Sequence, residues 1–157
     1  LTLSPPRLLR PGGITMEQLE SVVGIVAVDA AVTRLMDAGE HPRAPGMKYR
    51  HYAPKAPVTV VKGDPQQAAR YILACLSPSS GVLCFDEFAD LFGTQVTFTL
   101  GSYQDKAAQA RHVFDALRRF DKTAVTEIFA QCPDDGGMGL AVSNRLNKAA
   151  GFHIVEV

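Results

Sequence analysis

The sequence of 157 residues has no net charge, no long apolar run, no paired cysteines and no initiator methionine. Each absence excludes something. Lys plus Arg number 16 and Asp plus Glu number 16, so bulk positive charge cannot draw the chain to nucleic acid. The longest apolar stretch, residues 22–31, is about half the length of a bilayer span and is broken by Gly24 and Asp29, so no membrane partner is expected. Cys75, Cys84 and Cys132 are odd in number and lack a CxxC pair, against a disulfide framework or a structural zinc site. Each stands among apolar residues, which predicts three buried free thiols and a cytoplasmic protein. The four histidines include no HxH or HxxxH pair, so no protein-bound metal is expected. There is no GxSxG, no full GxGxxG and no Walker lysine. The start, Leu1-Thr-Leu-Ser-Pro-Pro, is no signal peptide and suggests a chain that begins inside a longer one.

What is present is ordinary globular material, 46% apolar and 20% charged, too apolar to be disordered throughout. It falls into three zones. Residues 1–24 hold Arg7-Leu-Leu-Arg10, a Pro-Gly-Gly turn and a short helix. Thr15 and Gln18 supply the capping box of that helix and Gly24 its stop. This piece has too few apolar residues for a core of its own. Residues 25–57 read as a long extended connector, because prolines at 42, 45, 54 and 57 exclude a continuous helix or central strand. Residues 58–157 alternate strand and helix patterns. Strands are predicted at 58–61, 81–85, 96–100, 123–130 and 153–157. Helices are predicted after Asp64-Pro65, after Ser102 and Asp105, and over 139–150 with Gly151 behind it. The expected fold is α/β, a Rossmann-like, mostly parallel sheet with helices on both faces.

The densest chemistry lies in the connector. Lys48, Tyr49, Arg50, His51 and Tyr52 place two fixed cations, two phenols and an imidazole in five residues, and residues 43–55 contain no acid. Such a segment suits phosphate oxygens and a stacked base, although short basic runs are also common as solvated linkers. Gly136-Gly-Met-Gly139, between a strand and a helix, is a second candidate anion site, but Asp134 and Asp135 beside it would repel phosphate. Asp86, Glu87 and Asp90 read as a solvated loop. Asn144, Arg145 and Lys148 read as the polar face of the last helix, with lining of a crevice at the strand ends as the alternative.

Pro45-Gly-Met-Lys-Tyr-Arg-His-Tyr-Ala-Pro54 closely resembles the interdomain linker of the two-domain threonylcarbamoyl-AMP synthases. Leu8-Leu-Arg-Pro-Gly-Gly-Ile-Thr15 with Glu17-Gln-Leu-Glu20 resembles the end of that family's YrdC-like catalytic domain. Gly139-Leu-Ala-Val-Ser-Asn-Arg-Leu-Asn-Lys-Ala-Ala150 resembles the closing helix of its C-terminal domain. Ala44 stands where the family usually has serine. The resemblance implies that residues 1–24 end a catalytic domain, 25–57 are the linker and 58–157 a C-terminal domain. It also implies a reaction of L-threonine, bicarbonate and ATP, with Mg2+ accompanying the ATP, to give threonylcarbamoyl-AMP and pyrophosphate. That product is consumed in tRNA threonylcarbamoyladenosine synthesis, so tRNA would be met only through a downstream transferase.

On that likeness the nucleotide contacts are Arg10, Lys48, Tyr49, Arg50, His51 and Tyr52, the linker acting as a lid. The family's Lys-x-Arg pair and Ser-x-Asn segment have no counterpart in these 157 residues, which alone are expected to be inactive. A stand-alone nucleotide-binding, regulatory or assembly module remains the alternative, and a homodimer stays open.

Overall fold

The computed structural model describes residues 4–34 and 53–157. Lys48, Tyr49, Arg50, His51 and Tyr52, with His41 and the prolines at 42 and 45, lie outside the described residues.

The N-terminal segment begins with β1 (Arg7–Leu8), followed by α1 (Met16–Val23). Thr15 caps α1 as its sequence predicts: its hydroxyl accepts from the Gln18 N–H, and the Gln18 side chain accepts from the Thr15 N–H. Gly24, at φ 75°, ends the helix. Within the expected connector, residues 25–34 carry short regular elements. β2 (Ala27–Val28) pairs in parallel with β1, and Asp29 caps a one-turn helix, α2 (Ala30–Thr33). Arg7 and Asp29, 3.5 Å apart, tie the two strands together. The apolar residues of this stretch explain these elements, since Val26, Ala31 and Val32 are buried.

The second unit is a sheet of five strands, β3 (Val58–Lys62), β4 (Ser80–Cys84), β5 (Val96–Thr99), β6 (Glu127–Cys132) and β7 (Ile154–Glu156). Their order is β5-β4-β6-β3-β7 and every pairing is parallel. Between them run α3 (Pro65–Cys75), α4 (Lys106–Arg119) and α5 (Gly139–Ala149). Strand alternation sends side chains to opposite faces. Val60, Leu83 and Ala130 join Val113, Leu117, Val142 and Leu146 on the α4–α5 side. Val61, Val82 and Phe129 join Ala68, Ala69 and Ile72 on the α3 side. Each fully buried Leu, Ile or Phe among them contributes roughly 1.5–3 kcal/mol. The expected layers are therefore present.

Two expectations shift. The fourth strand of the sheet starts at Glu127, not Thr123, because Thr123 closes a 3-10 turn at Phe120–Lys122 through its hydroxyl and Thr126 bonds to Ser79. Cys84 and Cys132 are buried as expected, but Cys75 is exposed at the end of α3.

Candidate functional site

In an open parallel sheet ligands sit beyond the carboxyl ends of strands whose connections leave toward opposite faces. Here β6 leads to α5 on one face, while its neighbours β3 and β4 lead to elements on the other. The crevice lies over β6, and the protein's own side chains fill it. Gln131, fully buried on β6, accepts from the Phe85 N–H at 3.0 Å and donates to the Pro65 carbonyl at 2.8 Å, joining the ends of β4 and β3.

Above it, Lys62 pairs with Asp135 at 2.5 Å and Lys106 with Asp134 at 2.6 Å. Burial lowers the Lys62 pKa, and Asp135 more than offsets it, leaving the ammonium above its ordinary value. The Lys106 hydrogen bond holds the Asp134 carboxyl below its usual range. Glu87 accepts from the Ser102 hydroxyl at 2.6 Å and the Tyr103 N–H at 3.0 Å. It therefore fastens the end of β4 to the turn after β5, and the carboxylates of 86–90 are not all idle solvated groups.

The glycine loop is occupied in the same way. Asp134 takes the Gly136 N–H at 2.8 Å, and Glu17 of α1 takes the Gly137 N–H at 3.1 Å. A Cβ on Gly139 would run into the Asp134 carbonyl, so the loop has no spare volume there. A phosphate would have to displace two carboxylates. The geometry closes this crevice rather than opening it, against a stand-alone nucleotide site at Gly136–Gly139.

The expected polar face of α5 is partly buried: Asn144 is enclosed, while Arg145 and Lys148 are half-buried. Asn144 donates to the Val32 carbonyl at 2.7 Å, because the 4–34 segment covers that side of the helix. Arg145 donates to the Ala110 carbonyl at 2.6 Å and lies over the Phe114 ring. Arg10, exposed after β1, comes close enough to Arg145 and Lys148 for its charge to act on both. Desolvation first, and Arg10 second, lower the pKa of each. Of the six residues predicted to meet nucleotide, Arg10 is described, and it stands in this cationic neighbourhood; the other five are outside the described residues. His153 shares a hydrogen bond with Thr59. Among the described residues no group of three or more His, Cys, Asp or Glu could hold a metal ion, and no helix is long and apolar enough to cross a membrane.

Sequence reasoning missed Glu17, Gln131 and Asn144 as joining residues. The available signal was a polar residue inside an apolar strand, for Gln131, and inside an apolar helix, for Asn144.

The family model described as the threonylcarbamoyl-AMP synthase C-terminal domain matches residues 14–151. The chain belongs to this family. It is 41% identical over 153 residues to threonylcarbamoyl-AMP synthase of Bacillus subtilis, covering 96% of this chain and 43% of that protein. Sua5 of Pyrococcus abyssi, solved in complex with L-threonine, superimposes with a TM-score of 0.84 at 39% identity, over 100% of this chain and 46% of that one. The same protein has been solved as a variant with an adjacent His and Tyr replaced by Ala, again matching all of this chain and 45% of that one, at TM-score 0.81 and 37% identity. A C-terminal Sua5 domain from Pyrococcus horikoshii matches over its full length and 67% of this chain, at TM-score 0.52 and 29% identity. The chain thus spans less than half the length of the whole synthases it matches and corresponds to their C-terminal part.

Proposed function

We propose that the 157 residues serve an enzyme that joins L-threonine, bicarbonate and ATP into threonylcarbamoyl-AMP, releasing pyrophosphate, for tRNA modification in the cytoplasm. The observation that carries this reading is the match along the whole chain to Sua5 complexed with L-threonine. The threonine, bicarbonate and ATP sites belong mainly to the catalytic half. Mg2+ enters with the ATP rather than through a site on this chain. Residues 1–24 end the catalytic domain, 25–57 form the linker, and 58–157 are the C-terminal domain. The Pyrococcus horikoshii domain, matched over its full length and 67% of this chain, is of a size that fits the last of these three parts.

Arg10 contacts nucleotide phosphate, with Arg145 and Lys148 adding positive potential nearby. Lys48, Tyr49, Arg50, His51 and Tyr52 close over the nucleotide, the cations on phosphate and the rings on the base. The Pyrococcus abyssi variant lends weight to this lid, because an adjacent His–Tyr pair occurs once in this chain, at residues 51–52. The filled crevice of the C-terminal sheet favours a supporting role for that domain over a second nucleotide site.

The test is Arg50→Ala with Tyr52→Ala in the full-length protein, read as ATP-dependent product formation. Loss of a charge-assisted phosphate contact and a stacked ring should lower kcat/KM for ATP at least about tenfold. Unchanged kinetics would reject the lid.

A further inference from the structure

Helix α5 is buried nearly all round: Ala141, Val142, Ser143, Asn144, Leu146, Asn147 and Ala149 all lie inside. A helix surrounded in this way separates two packed bodies. One is the sheet, met by Val142, Leu146 and Ala149. The other is the 4–34 segment, joined to α5 and the loop before it by hydrogen bonds from Gly137 and Asn144. Gly137, in the loop that opens the helix, donates to Glu17, and Asn144, seven residues on, donates to the Val32 carbonyl. Gly137 lies just before α5 and Asn144 midway along it, so both attachments are toward the N-terminal end of the helix.

The attachments differ in kind. Around Val32 the segment is well enclosed, with Val26, Ala31 and Val32 buried. Helix α1 buries none of its residues. One link to the sheet domain is the Glu17 side chain, with Lys106 behind the loop adding attraction. Met16 and Leu19 are half-buried, so the Glu17 bond adds a directed polar contact to a shallow apolar one.

We infer that Glu17 is a positioning residue: its carboxylate docks α1, and with it the 10–14 turn that carries Arg10, onto the glycine loop of the C-terminal sheet. The sheet's ligand end grips the neighbouring module instead of a free ligand. This gives the C-terminal domain a task in the synthase, setting where Arg10 stands relative to α5. The inference rests on the nucleotide role proposed for Arg10, and the experiment separates the two.

The experiment uses the full-length protein with Glu17→Ala and Glu17→Gln, the second keeping an acceptor oxygen without the charge. Glu17 is exposed, so both variants should fold. Hydrogen exchange is followed at the Gly137 amide and across residues 16–23, beside steady-state kinetics in ATP. The Ala variant should exchange at Gly137 at least about tenfold faster and show a raised KM for ATP with kcat less affected. The Gln variant should restore much of both. Unchanged Gly137 protection in the Ala variant would overturn the docking role. Faster exchange with an unaltered KM would uphold the docking and reject the nucleotide role of Arg10.

Discussion

At the scale of the residue, similar surroundings in sequence led to different fates. Cys75, Cys84 and Cys132 each follow apolar neighbours, yet Cys75 occupies the solvent side of the last turn of α3 while the other two are sealed in the sheet. Burial raises the Cys84 thiol to about 12 and the Cys132 thiol to about 11. A thiolate is the reactive form, so both should be inert at neutral pH. Labelling of the folded chain with a thiol reagent at pH 8 should therefore modify one cysteine, and peptide mapping should find it at Cys75. Fast labelling of Cys84 or Cys132 without denaturant would contradict the burial. Asn144 and Gln131 were opaque for the converse reason. A polar side chain in an apolar element reads equally as a surface position or as a buried one with partners, and the partners, Val32, Phe85 and Pro65, lie more than forty residues away in the chain.

Elements were legible where local chemistry decides them. Thr15, Asp64 and Asp105 accept the backbone N–H groups that their capping positions require. Gly151, at φ 60°, takes the left-handed position after α5, with its N–H on Lys148 and the Phe152 N–H on the Asn147 carbonyl. The β6 start was misread because Thr123, Val125 and Thr126 have strand propensity, whereas the hydroxyl and backbone bonds of Thr123 to Phe120 and of Thr126 to Ser79 hold the approach outside the sheet. The short elements within 25–34 were not legible because two-residue strands carry almost no periodicity. The glycine loop was legible as a turn, but its occupants were not, since Glu17 arrives from a different module.

Gly139 tests how closely that loop is packed. A helical Gly→Ala change ordinarily gains about 1 kcal/mol. Here the added Cβ meets the Asp134 carbonyl, which cannot yield without dragging the Lys106 pair and the Gly136 bond with it. Gly139→Ala should instead destabilise the fold by roughly 1–3 kcal/mol, read as a lower urea midpoint at unchanged slope.

At the scale of the whole molecule, ionisation sets a window of stability. Glu17, Glu87 and Asp134 have carboxyl pKa values held below their ordinary 4.5, 4.5 and 3.8. A lowered folded value means stability that is present at neutral pH and lost as pH falls through the folded values. The alkaline side is governed by groups shifted upward. Cys84 and Cys132 rise from 9.0 to about 12 and about 11, and Tyr103 and Lys62 also move up. The unfolded thiols ionise near 9 while the folded ones stay neutral, so stability is complete below pH 9 and declines above it. At pH 10 each thiol should cost roughly 1 kcal/mol. The thermal midpoint should thus be flat between about pH 5 and pH 9 and fall on either side. The cause of the alkaline fall can be isolated, because Cys84→Ala with Cys132→Ala removes both thiols. That variant should start with a lower midpoint, from lost packing, yet decline less between pH 9 and pH 10.5 than the parent. Equal slopes over that interval would mean that the buried thiols do not drive the alkaline loss.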